Sequence, residues 1–238
     1  MTRYKNLYGQ LLDELGRQIV SGSVAPGATL PSEPLLSEQF GVSRVVVREA
    51  IKSLCAKGLV TVGPSIGTRV QPLASWRMLD PDVLSWHASG QFSAKLIVDL
   101  IELRRIIEPQ AARLAASRAT SQDLLAIRQA YDAMALAVDG EGDYVTADAA
   151  FHSAVLDASH NQFLGQLQSA LAQILKLSFS ISSQHPGTAR TSLPFHEALL
   201  LRIEARDADG AAAIVEQMIS RNDHHLQKMM AALPPTKH

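Results

Sequence analysis

Cysteine is almost absent, with Cys55 the single example in 238 residues. An intramolecular disulfide framework and a Cys-rich zinc site are therefore excluded. Aromatic residues are scarce at 5%, and β-branched residues are outnumbered by Ala, Leu, Gln and Glu, so the composition leans helical. No apolar run approaches the roughly 18 residues that a membrane-spanning helix needs. The opening MTRYKNLYGQLLDEL reaches Asp13 and Glu14 without the apolar stretch of a signal peptide. What is present is apolar mass, 47% hydrophobic against 19% charged, enough to give one or two domains a core and to exclude disorder. The expectation is a soluble, cytoplasmic protein.

The net charge of −1 hides a split. Residues 1–75 hold eight Lys/Arg and five Asp/Glu, a net +3, which leaves −4 for the remainder. A basic N-terminal module on an acidic body suits a nucleic-acid contact confined to one end, and a solvated basic face is the plainer alternative.

Apolar positions at Leu7, Leu11, Leu12, Leu15, Ile19 and Val20 recur three and four apart, predicting a helix over 7–21. Ser21-Gly22-Ser23 stops it and Pro26-Gly27 turns the chain. Ser32 is placed to cap a second helix, with Glu33 and Pro34 in its first turn, Leu35, Leu36 and Phe40 inward, and Gly41 as its stop. Two residues later Ser43 caps a third helix with Val46, Val47, Ala50, Ile51 and Leu54 as its buried stripe. After Gly58, residues 59–62 and 68–70 read as two strands around Gly63-Pro64-Ser65-Ile66-Gly67.

Helix, short helix, tight turn, helix, hairpin is the layout of a winged helix-turn-helix, whose helix after the turn enters the DNA major groove. Arg44 and Arg48, four apart, project away from the apolar stripe, beside Ser43. Arginine pairs bidentately with guanine or grips phosphate. The alternative for Arg48 is a surface ion pair with a neighbouring acid such as Glu49 or Glu38.

Residues 74–92 read as a connector in which Trp76 and Trp86 are expected to pack against the helices beyond it. Past the connector, periodic segments over 94–116, 121–138, 143–158, 161–183, 192–206 and 208–231 predict six helices, with Thr120, Asp143 and Ser192 as starts. The expected fold is mostly α: a winged helix-turn-helix over 1–73, a linker over 74–92 and an all-α helical bundle over 93–238.

The string Ile19-Val20-Ser21-Gly22, Pro26-Gly27-x-x-Leu30-Pro31-Ser32-Glu33, Phe40-Gly41-Val42-Ser43-Arg44, Arg48-Glu49-Ala50-Ile51, Gly58-Leu59-Val60 and Gly67-Thr68-x-Val70 resembles the DNA-binding domain of GntR-type bacterial transcription regulators. Glu102-Leu103-Arg104, Glu108-Pro109, Asp148-x-x-x-His152, Asn161-x-x-Leu164 and His196 resemble the FCD effector domain of that family's FadR branch. Trp76-x-x-Leu79-Asp80-x-Asp82-Val83-Leu84-x-Trp86 and Arg118-Ala119-Thr120-Ser121-x-Asp123-Leu124 resemble a subgroup, the galactonate-operon repressors and their sugar-acid-responsive relatives. The resemblance implies DNA contacts from Ser32, Ser43, Arg44, Arg48, Gly67 and Arg69. Two departures stand out. Pro34 takes the place of a basic residue common after Leu-Pro-Ser-Glu, and the wing tip carries no cation.

In the helical part, Asp148 and His152 lie four apart, on one face of a helix, a two-ligand half-site for a divalent ion. His196 can add a third ligand, and imidazole with carboxylate suits Zn²⁺, Ni²⁺ or a similar metal. Metal-binding members carry a further histidine that here falls at or near Met218, while His224 and His225 come two turns later. Of the adjacent Arg104 and Arg105 only one can point fully inward beside Leu100, Leu103, Ile106 and Ile107. The resemblance selects Arg104, as the anchor of an effector carboxylate. A structural pair with Glu102 or Glu108 is the alternative. Asn161 is expected to cap a helix, and Ser178, Ser180, Ser182 and Ser183 are mostly helix-surface residues, although hydroxyls suit a polyol. His87, His160 and His185 carry no spacing signal.

The resemblance thus implies a homodimeric DNA-binding repressor controlled by a small carboxylate, a sugar acid such as an aldonate, and not an enzyme. Two alternatives stay open: a metal-dependent hydrolase or lyase using Asp148, His152 and His196, and a regulator with a structural metal and a different effector.

Overall fold

The computed structural model describes residues 2–88, 94–182 and 188–232, and the chain divides into two units, Met1–Phe92 and Ser93–His238.

In the first unit, helix α1 (Thr2–Val20) turns Leu11, Leu15 and Ile19 into the core. Helix α2 (Glu33–Phe40) closes on Gly41, whose φ of 61° lets its N–H bond back to Glu38 and Ser37. This compact stop allows Ser43 to cap α3 (Arg44–Ala56) at once, its side chain accepting from the Val46 amide at 3.4 Å. The expected buried stripe of α3 is present in full. Strands β1 (Val60–Gly63) and β2 (Gly67–Val70) pair antiparallel, Val60 opposite Val70 and Gly63 opposite Gly67.

Three expectations are corrected here. Ser32 holds the cap position of α2, but its side chain makes no cap hydrogen bond; the first turn is closed by the Leu36 amide on the Ser32 carbonyl at 2.9 Å. Leu35 does not face inward: it is 56% exposed while Leu36 is buried, because neighbours on a helix point about 100° apart. Trp76 and Trp86, expected against the bundle, lie in the core of the first unit with Val83. Helix α4 (Pro81–Ala88) brings the Trp86 ring against Gly16, where any β-carbon would lie 2.5 Å from the indole. The indole Nε1 donates to Asp13 at 3.0 Å, and Trp76 Nε1 donates to the Gln71 carbonyl at 2.9 Å. Lys57 ties this segment down, 2.8 Å from Asp80, 2.7 Å from Asp82 and 5.9 Å from the Trp86 ring centre.

Among the described residues the second unit has seven helices, not six: α5 (Ala94–Arg118), α6 (Ser121–Val138), α7 (Tyr144–Ala158), α8 (Gln162–Gln166), α9 (Gln168–Ser182), α10 (Thr188–Glu204) and α11 (Ala208–Ala232). The segment expected as one helix over 161–183 breaks at Leu167, and Ser192 lies inside α10 instead of starting it. The starts at Thr120, Asp143 and Asn161 are as read. Thr120 and Asp123 form a reciprocal capping box, and the side chains of Asp143 and Asn161 accept from amides in the first turns of their helices. Helix α5 runs along α11, with Ala111, Ala112, Ala115 and Ala116 on one side and Ala211 and Ala212 on the other fully buried; such small side chains let two helices approach closely. Helix α7 packs against α5, α6 and α9, which explains burial extending well beyond one stripe, from Ala147 and Ala149 to Phe151, Val155 and Leu156. Ser183 and His185 lie outside the described residues, as do the side chains of Ser178, Ser180, Ser182, His224 and His225.

Candidate DNA-reading face and metal centre

On the first unit, Ser43, Arg44 and Arg48 are exposed along the side of α3 opposite Val46 and Val47. The Arg48 Nε donates to Glu33 Oε2 at 2.7 Å. The partner is neither Glu49 nor Glu38; Glu49 is held by Lys52 at 2.8 Å. The tight turn brings the first residue of α2 to the flank of α3, a juxtaposition that helix spacing cannot reveal. On the hairpin, Gly67 and Arg69 are exposed, and Arg69 Nε donates to the Gly27 carbonyl at 2.7 Å. Ser32 is exposed as well.

In the second unit, α7 presents Tyr144, Asp148 and His152 at intervals of four, and α10 brings His196 to them. One ligand atom each from Asp148, His152 and His196 lies within 4.8 Å of the others. The His196 Nδ1 is 3.1 Å from the Ser192 carbonyl, which can only accept, so the proton of the neutral ring resides on Nδ1. Nε2 then points its lone pair at Asp148 Oδ1, 3.1 Å away. It is buried and has no hydrogen-bond partner. Two electron pairs meeting in a dry pocket repel unless a proton or a cation lies between them. That buried nitrogen, with an imidazole and a carboxylate beside it, fits a divalent metal of the Zn²⁺ or Ni²⁺ type.

Around the three ligands sits a layer to which the residue pattern gave less weight. Arg104, 2% exposed, donates through Nε to Glu108 Oε1 at 2.5 Å, so of the two expected partners it takes Glu108. Glu108, 4% exposed, also lies 3.5 Å through Oε2 from His152 Nδ1. It therefore links the buried guanidinium to a candidate ligand. Its place four residues after Arg104, and its part in the FCD resemblance, were the available signals. Arg105 is exposed, so of the two adjacent arginines it is Arg104 that turns inward. Phe151 stands edge-on to both imidazoles, with ring centres 5.8 Å and 5.1 Å away. Burial pushes the His152 imidazole pKa down despite the carboxylates of Asp148 and Glu108, keeping it neutral and able to ligate. For Arg104, burial opposes the charge while Glu108 and Asp148 more than restore it. A cavity of about 10 Å³ lies beside Glu108 and His152, walled by Val155, Leu156, Leu171 and Leu199; it is the size of one water molecule. Tyr144, whose hydroxyl pKa is raised by burial and by Asp148, completes the α7 row and was not singled out from sequence.

Residues 7–70 match the family of bacterial regulatory proteins called gntR, and residues 99–221 match the FCD domain. The chain belongs to the GntR family, with an FCD domain. It is 34% identical to the galactonate operon transcriptional repressor of Escherichia coli K12, over 94% of this chain and 98% of that one. It is 33% identical to the uncharacterized HTH-type transcriptional regulator YieP of the same strain, over 92% and 95% of the two chains. Among solved structures, the Streptococcus agalactiae GntR protein is 25% identical and superposes with a TM-score of 0.50 over 91% of this chain and 99% of its own. This GntR protein is therefore a transcription regulator with an effector-binding FCD domain, and the hydrolase or lyase alternative is set aside on those relatives. Among the described residues, no helix of this GntR protein is long and apolar enough to cross a membrane.

Proposed function

We propose that the protein is a cytoplasmic, homodimeric repressor whose grip on its operator is released by a small carboxylate, most simply a sugar acid such as an aldonate. Each winged helix reads half of a near-palindromic site, because a twofold dimer matches twofold DNA. Helix α3 enters the major groove with Ser43, Arg44 and Arg48, while Ser32, Gly67 and Arg69 contact the backbone and the wing-side groove. Asp148, His152 and His196 hold a divalent ion, Zn²⁺ or a neighbour in the transition series, which when bound supplies a positive centre for an oxygen of the effector. Arg104 receives the effector carboxylate in a two-point, charge-assisted contact.

The observation that carries this reading is the convergence of three candidate metal ligands, with a buried arginine that feels the charge of Asp148. A sugar acid offers the matching pair of features, a carboxylate beside hydroxyl oxygens. The galactonate repressor's name points to the same chemical class. By linkage, an effector that weakens operator binding is itself bound more weakly by the DNA-bound protein, by the same factor.

The deciding experiment measures binding to DNA from upstream of the protein's own gene, with competitor DNA, in the presence of a panel of sugar acids. Specific binding released by one of them establishes both the regulator and its effector class. Specific binding untouched by every acid, with stability that still depends on metal, replaces this reading with a structural metal and another effector.

A further inference from the structure

The Glu33–Arg48 contact stands out on the proposed DNA-reading face because it has little to do with stability. Its two side chains are 35% and 60% exposed, and ion pairs in water at such positions contribute little to folding. It is also a costly arrangement for plain DNA attraction, since Glu33 places a negative charge beside an arginine meant for a polyanion. The chain compounds this with Pro34 next to it and a wing tip, Gly63 to Gly67, without a cation.

The geometry is specific in one respect. Glu33 takes the Nε proton, at 2.7 Å, and that is the inner edge of the guanidinium fork. An arginine has five N–H donors in a fixed plane. With Nε engaged from the side, the plane is fixed and both terminal nitrogens remain at the outer end. That is the pair of donors that meets O6 and N7 of a guanine. Glu33 itself is anchored as the first residue of α2, whose Gly41 turn sets its position relative to α3.

We infer that Glu33 is a positioning residue for base recognition: it holds the Arg48 guanidinium in the orientation that reads one guanine, exchanging general phosphate affinity for discrimination at that base pair. The inference rests on the reading of α3 as the recognition helix.

The test uses the full-length protein and a duplex that it selects from a randomised library. Affinities for that duplex and its single-base-pair variants are measured over a range of salt for the wild type, Arg48→Ala, Glu33→Gln and the double variant, with thermal melting as a check on folding. Arg48→Ala identifies the base pair in question as the one whose discrimination it abolishes. Glu33→Gln is expected to lower discrimination at that same base pair by on the order of tenfold. Discrimination elsewhere should stay intact and the salt slope should change by no more than about one. The double variant should read that base pair no worse than Arg48→Ala alone. Two results overturn the inference while leaving the recognition helix in place: Glu33→Gln tightening binding to all duplexes with discrimination unchanged, or Glu33→Gln changing nothing while Arg48→Ala is defective. Wild-type binding by Arg48→Ala instead overturns the underlying reading, and the inference with it.

Discussion

The Nε2 atom of His196 faces Oδ1 of Asp148 at 3.1 Å, buried and without a hydrogen bond between them. The Nδ1 proton of the ring is already directed to the Ser192 carbonyl, so this contact becomes attractive when a cation sits in it. Stripping the protein with a chelator is expected to lower its melting temperature, and adding Zn²⁺ to restore it. At a free metal concentration a hundred times the dissociation constant the gain is about 2.7 kcal/mol. His196→Ala should abolish the response to metal. A melting curve indifferent to chelator and metal alike removes the metal centre.

Arg104 and Glu108 test the other half of the pocket. Glu108→Gln removes one of the two carboxylates that offset the buried Arg104 charge, a change expected to cost up to about 3–5 kcal/mol, readable by denaturant titration. Arg104→Ala should lose release of operator DNA by sugar acid while keeping metal-dependent stability. A variant that still responds to the acid would exclude Arg104 as the carboxylate anchor.

The start of α6 should respond to acid in a defined window. Partial burial favours the neutral Asp123 carboxyl, but hydrogen bonds from Thr120 and the contact with His160 more than reverse this and lower its pKa. A lowered folded-state value means that the ionised group stabilises the fold above the unfolded carboxylate range, near about 4. That contribution is lost as pH falls through the lower folded value. Asp123→Ala should cost about 0.5–2 kcal/mol at neutral pH, the usual range for a helix cap. The gap between wild type and variant should narrow only below about pH 4. A gap independent of pH down to the acid transition would show that the carboxylate is not the stabilising form.

Gly16 has no room for a side chain under the Trp86 indole. Gly16→Ala is expected to destabilise the first unit by about 1–3 kcal/mol through overpacking, even though alanine favours helix elsewhere. A neutral or stabilised melting curve would mean that α4 yields without penalty.

Much of this was legible in the residues, and what was not has a common cause. Ser43, Gly41 and the α3 stripe are local signals, and the turn they predict is the turn found. The candidate ligands Asp148 and His152 needed only a spacing of four, although their approach to His196 depends on how α7 and α10 pack. Periodicity reports which face is buried and not what covers it. Trp76 and Trp86 were therefore correctly apolar in character yet assigned to the wrong neighbour, and Arg48 was paired with acids near in sequence instead of Glu33. Leu35 is an apolar position that the fold leaves in water, so residue type alone misplaced it. The break at Leu167 follows Gly165, a helix-weakening residue that periodicity passes over. Glu108 was visible as a mark of the FCD resemblance and as an ion-pair partner, but its reach toward His152 belongs to the packing of α5 on α7.

The indole of Trp86 filling the notch at Gly16 also decides where the chain can be dissected. A fragment ending at residue 73 would lack Trp76, Val83 and Trp86, and would expose the groove they fill beside Gly16. Each large apolar side chain taken from the core forfeits about 1.5–3 kcal/mol. The smallest self-sufficient DNA head therefore reaches at least to Trp86, and limited proteolysis of the intact protein should release it with α4 still attached.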